Sequence, residues 1–188
     1  MNRIESYIRL AIIIILFVLV LYLPILFVLK RKGKSAIRQL SYIGLFCSLF
    51  IIIFATILYV RISLPPKQYF LNLIPFNWTS DADAIEQLVN EKIPNILLFV
   101  PLGFFIPAVF RTKRKLYKIV IISFCITFSV EFIQYFIGRL ADIDDIITNV
   151  LGGIIGYQIF QLINRIFINI KIWQNFIGGK KYYEQKEM

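Results

Sequence analysis

Five apolar stretches alternate with short polar connections: Tyr7–Leu29, Leu40–Val60, Ile93–Phe110, Ile119–Gly138 and Ile146–Ile170. Runs of about 20 apolar residues match a hydrocarbon core about 30 Å thick at a rise of 1.5 Å per residue, so each predicts a spanning helix. The first carries no charge from Leu10 to Leu29. It outruns the ~7–15 residues of a signal-peptide core, and no Ala-x-Ala-like cleavage site follows, which predicts a retained helix. The expected fold is an all-α membrane protein, a single bundle of about five transmembrane helices.

The connection Arg61–Lys92 breaks this rhythm. Its stretch Leu71–Trp78 is too apolar for a free loop and too short to span. With Tyr69 and Trp78 it suits an interfacial or re-entrant segment. Beyond it, Asp81–Asn90 predicts a short amphipathic helix with Ile85, Leu88 and Val89 on one side.

Composition agrees with the pattern. The chain is 59% hydrophobic and only 17% charged, against about 25% charged in soluble domains. The net charge of +10 raises nucleic acid as a partner, but the basic residues sit in short clusters between apolar runs. Three clusters (Lys30 to Arg38, Arg111 to Lys118, Arg165 to Lys186) hold 15 of the 21 Lys and Arg. Placing them in the cytoplasm satisfies the positive-inside rule, with the amino terminus outside and the carboxyl terminus inside, and leaves no call for nucleic acid. Cys47 and Cys125 lie within apolar runs and read as small hydrophobes. The absence of histidine excludes histidine bases and histidine metal sites.

Candidate chemistry gathers on the last two helices. Glu131 lies eight residues before Arg139, about 12 Å below the helix end. At 100° per residue, Thr127, Glu131, Gln134, Tyr135 and Gly138 share one face. A charge at that depth costs on the order of 3 kcal/mol and normally turns inward to a partner. Asp145, Asn149, Gly152 and Gly156 form a stripe on the fifth helix, where the two glycines allow close helix approach. Asp142 and Asp144 sit in the short connecting loop. Asn95 enters from the third helix, level with that loop, and Pro101, Gly103 and Pro107 predict a kinked helix.

Three strings carry a resemblance: Asn95-Ile-Leu-Leu-Phe99-Val-Pro101-Leu-Gly103-Phe, Glu131-Phe-Ile-Gln134, and Gly138-Arg139-Leu-Ala-Asp142-Ile-Asp-Asp145-Ile-Ile-Thr-Asn149-Val-Leu-Gly152-Gly-Ile-Ile-Gly156-Tyr157. Together with Asn72-Leu-Ile-Pro75-Phe76, they resemble the VanZ-like family over about Leu45 to Ile159. The resemblance implies a multi-pass protein of the bacterial cytoplasmic membrane. Its namesake is associated with low-level teicoplanin resistance. The motif residues Asn72, Asn95, Glu131, Gln134, Arg139, Asp142, Asp145 and Asn149 become the expected binding residues.

The leading expectation is a cell-envelope protein whose outward polar pocket binds or modifies a lipid-linked cell-wall component or meets a lipoglycopeptide. Membrane lipids are the other expected partners. The alternative is an intramembrane carboxylate or metal-dependent enzyme acting on a polyprenyl-linked lipid. In it Glu131 and Asp145 are the candidate catalytic groups, Asp142 and Asp145 ligate a hard cation, and Arg139 holds a phosphate. No nucleophile motif or cofactor signature is present. A small transporter is disfavoured by five helices without an inverted repeat.

Overall fold

The computed structural model describes residues 35–58 and 69–178, with scattered positions between Arg9 and Arg31. The expected first span, 7–29, lies mostly outside the described residues; its described positions are helical. The remaining elements follow in chain order. Helix α1 is Ala36–Ile53 and passes into a π-helical turn, Phe54–Leu58. Strand β1 is Phe70–Asn72, and a 3-10 turn covers Asn77–Ser80. Helices α2 (Ala84–Gln87) and α3 (Ile93–Val109) are joined by a π-helical stretch, Leu88–Lys92. Then come α4 (Leu116–Phe136), β2 (Leu140–Asp142), α5 (Ile143–Phe167) and α6 (Lys171–Ile177).

Four helical stretches among the described residues are long and apolar enough to cross a membrane: Ala36–Ile57, Ala84–Val109, Leu116–Phe136 and Ile143–Phe167. The protein is an all-α membrane protein, as the apolar pattern predicts, and three boundaries differ. The amphipathic helix expected at 81–90 is continuous with the third span, because a π-helical stretch carries the chain through Lys92 without a break. The segment Leu71–Trp78 makes a strand and a turn. The fifth span stops at Phe167, and α6 follows after a three-residue turn.

Helix α3 occupies the centre, packed on α1 and α4 and most broadly on α5. Lys92 meets Asp145 at one end, and Val100 meets Gly156 farther along, so α3 and α5 run parallel. Their backbones touch. A Cβ on Gly152 would come within 2.2 Å of the Ile96 carbonyl oxygen, and one on Gly156 within 2.0 Å of the Val100 oxygen. Only glycine fits there, which is the close approach that the small-residue stripe predicts. Around this contact Phe99, Leu102, Ile106, Ile119, Val130 and Tyr157 form the core.

The basic end is closed by two arginines. Arg38 donates through Nη1 to the carbonyls of Ala108 and Phe176, each at 2.8 Å, and through Nη2 to Val109 at 2.6 Å. Arg114 donates through Nε to Pro107 at 2.9 Å and through Nη2 to Ile177 at 3.2 Å. These acceptors are the last-turn carbonyls of α3 and α6, which no intrahelical N–H satisfies and whose partial negative charge favours a cation.

Candidate functional site

At the opposite end, the start of α5 sets the geometry. Asp142 is its N-cap, in extended backbone, and its Oδ1 accepts the Asp144 N–H at 3.0 Å. Asp144 and Asp145 fill the first turn, where the helix dipole favours acidic groups. Capping alone accounts for one carboxylate. Here the cap is also the centre of a network.

Strands β1 and β2 pair in parallel, placing Asn72 opposite Asp142. The Asn72 Nδ2 donates to Asp142 Oδ1 at 3.0 Å. From α4, Glu131 accepts the Asp142 backbone N–H on Oε2 at 3.0 Å. Lys92, at the head of α3, bridges Asp142 Oδ2 and Asp145 Oδ1, each at 2.9 Å. Its side chain is only 2% exposed. A buried charge is tolerable when paired in this way. Over the top runs the strap Phe70–Ser80. Its Phe76 adopts a left-handed φ of 60° and donates its N–H to Asp144 Oδ1 at 2.9 Å. Left-handed backbone strains a bulky residue such as Phe76.

Asn72, Glu131, Asp142 and Asp145 therefore converge, as the sequence leads one to expect. The other expected residues sit apart from them. Gln134 Nε2 and Arg139 Nη1 both turn to the Thr56 carbonyl, at 3.1 and 2.9 Å. Thr56 lies in the π-helical end of α1. Asn149 is deeper, between α5 and α4, its Nδ2 donating to Thr127 Oγ1 at 2.8 Å. Asn95 is half-buried, one helical turn beyond Lys92, and stays outside the carboxylate network.

Two members escape the sequence reading. Lys92 reads there as the end of an outer loop; its signal is a lone cation among Asp81, Asp83, Glu86 and Glu91, directly before an apolar run. Asp144 reads as a loop acid, yet it is 1% exposed. Its Oδ2 and the Asn149 Oδ1 are buried without a partner among the described residues. The Lys92 ammonium lies between the two carboxylates expected to share a hard cation. Among the described residues, no group of three or more acidic, cysteine or histidine side chains is arranged to hold a metal ion. An open groove lies elsewhere, on α4, lined by Phe128, Ser129, Phe132 and Ile133.

Membrane-spanning helices around a buried charged cluster define an integral membrane protein with a polar site at one end. The chain belongs to the VanZ/LLP1 family, whose match covers residues 40–164. Protein VanZ of Enterococcus faecium is 31% identical over 99 residues, covering 52% of this chain and 56% of that relative. The chain thus spans little more than half the length of this curated relative. No solved structure matches it. The family inferred from the sequence motifs is the family found.

Proposed function

We propose that the chain acts in the bacterial cell envelope and confers glycopeptide (teicoplanin) resistance by binding or modifying a lipid-linked surface component. In this reading the acidic end faces out, as the positive-inside rule favours for the opposite, basic end. The observation that carries it is the convergence of Asn72, Lys92, Glu131, Asp142, Asp144 and Asp145 at one end of the bundle. Helix capping requires far fewer charges than this. An acyl-bearing antibiotic or lipid-linked target would meet such a site at the outer leaflet.

The test is expression in a susceptible host, with growth inhibition and cell-bound teicoplanin as readouts. The expected result is less bound antibiotic and higher tolerance, both lost with Glu131→Gln or Asp145→Asn at matched membrane levels. Undiminished protection by both variants would remove the cluster from the function.

A second reading, the intramembrane enzyme, draws on one observation, the buried oxygen of Asp144 that has no partner among the described residues. Purified protein incubated with lipid-linked precursors should then convert them. An unchanged product profile, with and without chelator, eliminates that reading.

A further inference from the structure

Resting on the binding reading above, we propose that the cluster recognises a protonated amine on its ligand. The hydrogen-bond inventory points there. Asp142 has both oxygens engaged, by Asn72, the Asp144 N–H and Lys92. Asp144 has one oxygen on the Phe76 N–H and the other buried without a partner. The side chain of Asp145 is 29% exposed, and its single side-chain partner among the described residues is Lys92. Glu131 accepts one backbone N–H. Four carboxylates thus share this end with one ammonium, which engages two of them, while the Arg139 guanidinium is turned to the Thr56 carbonyl.

Acceptors exceed donors in this inventory, and the surplus carries negative charge. A buried acceptor without a donor is costly, and among the described residues the Asp144 Oδ2 is such an acceptor within the cluster. A phosphate or carboxylate ligand would add acceptors and like charge. An ammonium adds three N–H donors and a positive charge. Lys92 already shows that an ammonium fits between these side chains at 2.9 Å from each of two. The ligand amine would approach at Asp145, the more exposed carboxylate, and reach Asp144 once the Phe76 and Asn72 bonds of the strap release.

The test uses the full chain in phosphatidylcholine nanodiscs, with dodecylamine, dodecanol and dodecyl phosphate as matched probes and the thermal unfolding midpoint as readout. Nonspecific attraction to a chain of net charge +10 favours the phosphate, so generic electrostatics works against the expected outcome. The amine should raise the midpoint by about 4 °C at tenfold excess over its dissociation constant. The alcohol and phosphate should leave it unmoved. Asp145→Asn should lose the shift, while Asp81→Asn, just past the strap and bonded to Gln87, should keep it. If Asp145→Asn fails to fold, the amine-against-phosphate contrast on the unsubstituted chain still decides.

A phosphate shift equal to or above the amine shift would overturn the proposal, as would an amine shift that survives Asp145→Asn. A parallel arm with water-soluble butylamine separates the sources of the amine. A shift from butylamine as well identifies a soluble ligand, and a shift from dodecylamine alone a membrane-held one. If no amine shifts the midpoint while Asp145→Asn still abolishes antibiotic tolerance in cells, the binding role stands and the ligand class is wrong.

Discussion

The two ends of this bundle both engage cations, half-buried at one end and buried at the other, and they use them differently. At the basic end, Arg38 and Arg114 spend their donors on backbone carbonyls of Pro107, Ala108, Val109, Phe176 and Ile177. Those acceptors are neutral, fixed by helix geometry, and need donors in any helical protein. At the acidic end, Lys92 engages two carboxylates, of which capping accounts for one, and among the described residues the Asp144 Oδ2 stays unfilled. The first arrangement completes a fold. The second carries more charge than the fold requires.

Four substitutions test that contrast. Lys92→Met should have the largest effect, because it strands two carboxylates. Loss of one partner from a buried pair costs about 4 kcal/mol. The unfolding midpoint in detergent should fall sharply, and a midpoint equal to the unsubstituted chain would mean that the acidic end is wet and its charges independent. Next is Gly156→Ala, which sets a methyl 2.0 Å from the Val100 oxygen and should cost about 3 kcal/mol by overpacking. This substitution lies between the ends, so it should depress folding and antibiotic tolerance together. Arg38→Met should cost about 2 kcal/mol through its lost charged hydrogen bonds. Any tolerance that remains should scale with the amount of folded protein; a loss of tolerance at full folding would place function at the basic end. Thr127→Val should be smallest, about 0.6 kcal/mol for one intramembrane polar pair, read from the same unfolding curves.

Much of this was legible in the sequence, for identifiable reasons. Spans announce themselves by length and hydropathy, so the four described spans lie within a few residues of the expected ends, except that the third begins earlier, at Ala84. The carboxylates were legible because an acid within an apolar helix is costly, and Gly152 and Gly156 because of their four-residue spacing. Lys92 was not, since its burial depends on the π-helical stretch that carries α2 into α3 and swings it over Asp145. The strand pair was equally hidden. Three residues each, parallel and 70 positions apart, leave no periodic trace. Gln134 and Arg139 are expected site residues because they stand in the family motifs beside Glu131 and Asp142. The Thr56 carbonyl to which both donate lies at a π-helical turn that residue types do not signal. Arg38 and Arg114 were read only as orientation signals, because the carbonyls they cap are distant in sequence.

That distance has a consequence for biogenesis. Arg38 and Phe176 are separated by 138 positions. At ribosomal rates of about 5–20 residues per second, the guanidinium waits on the order of ten seconds for its last acceptor to be synthesised. Until then its acceptors on α3, the Ala108 and Val109 carbonyls 70 and 71 positions on, are the ones that can hold it. The Arg38 contact is thus a latch that only translation through α6 can complete, and interruption before that point leaves α1 tied to α3 but not to α6.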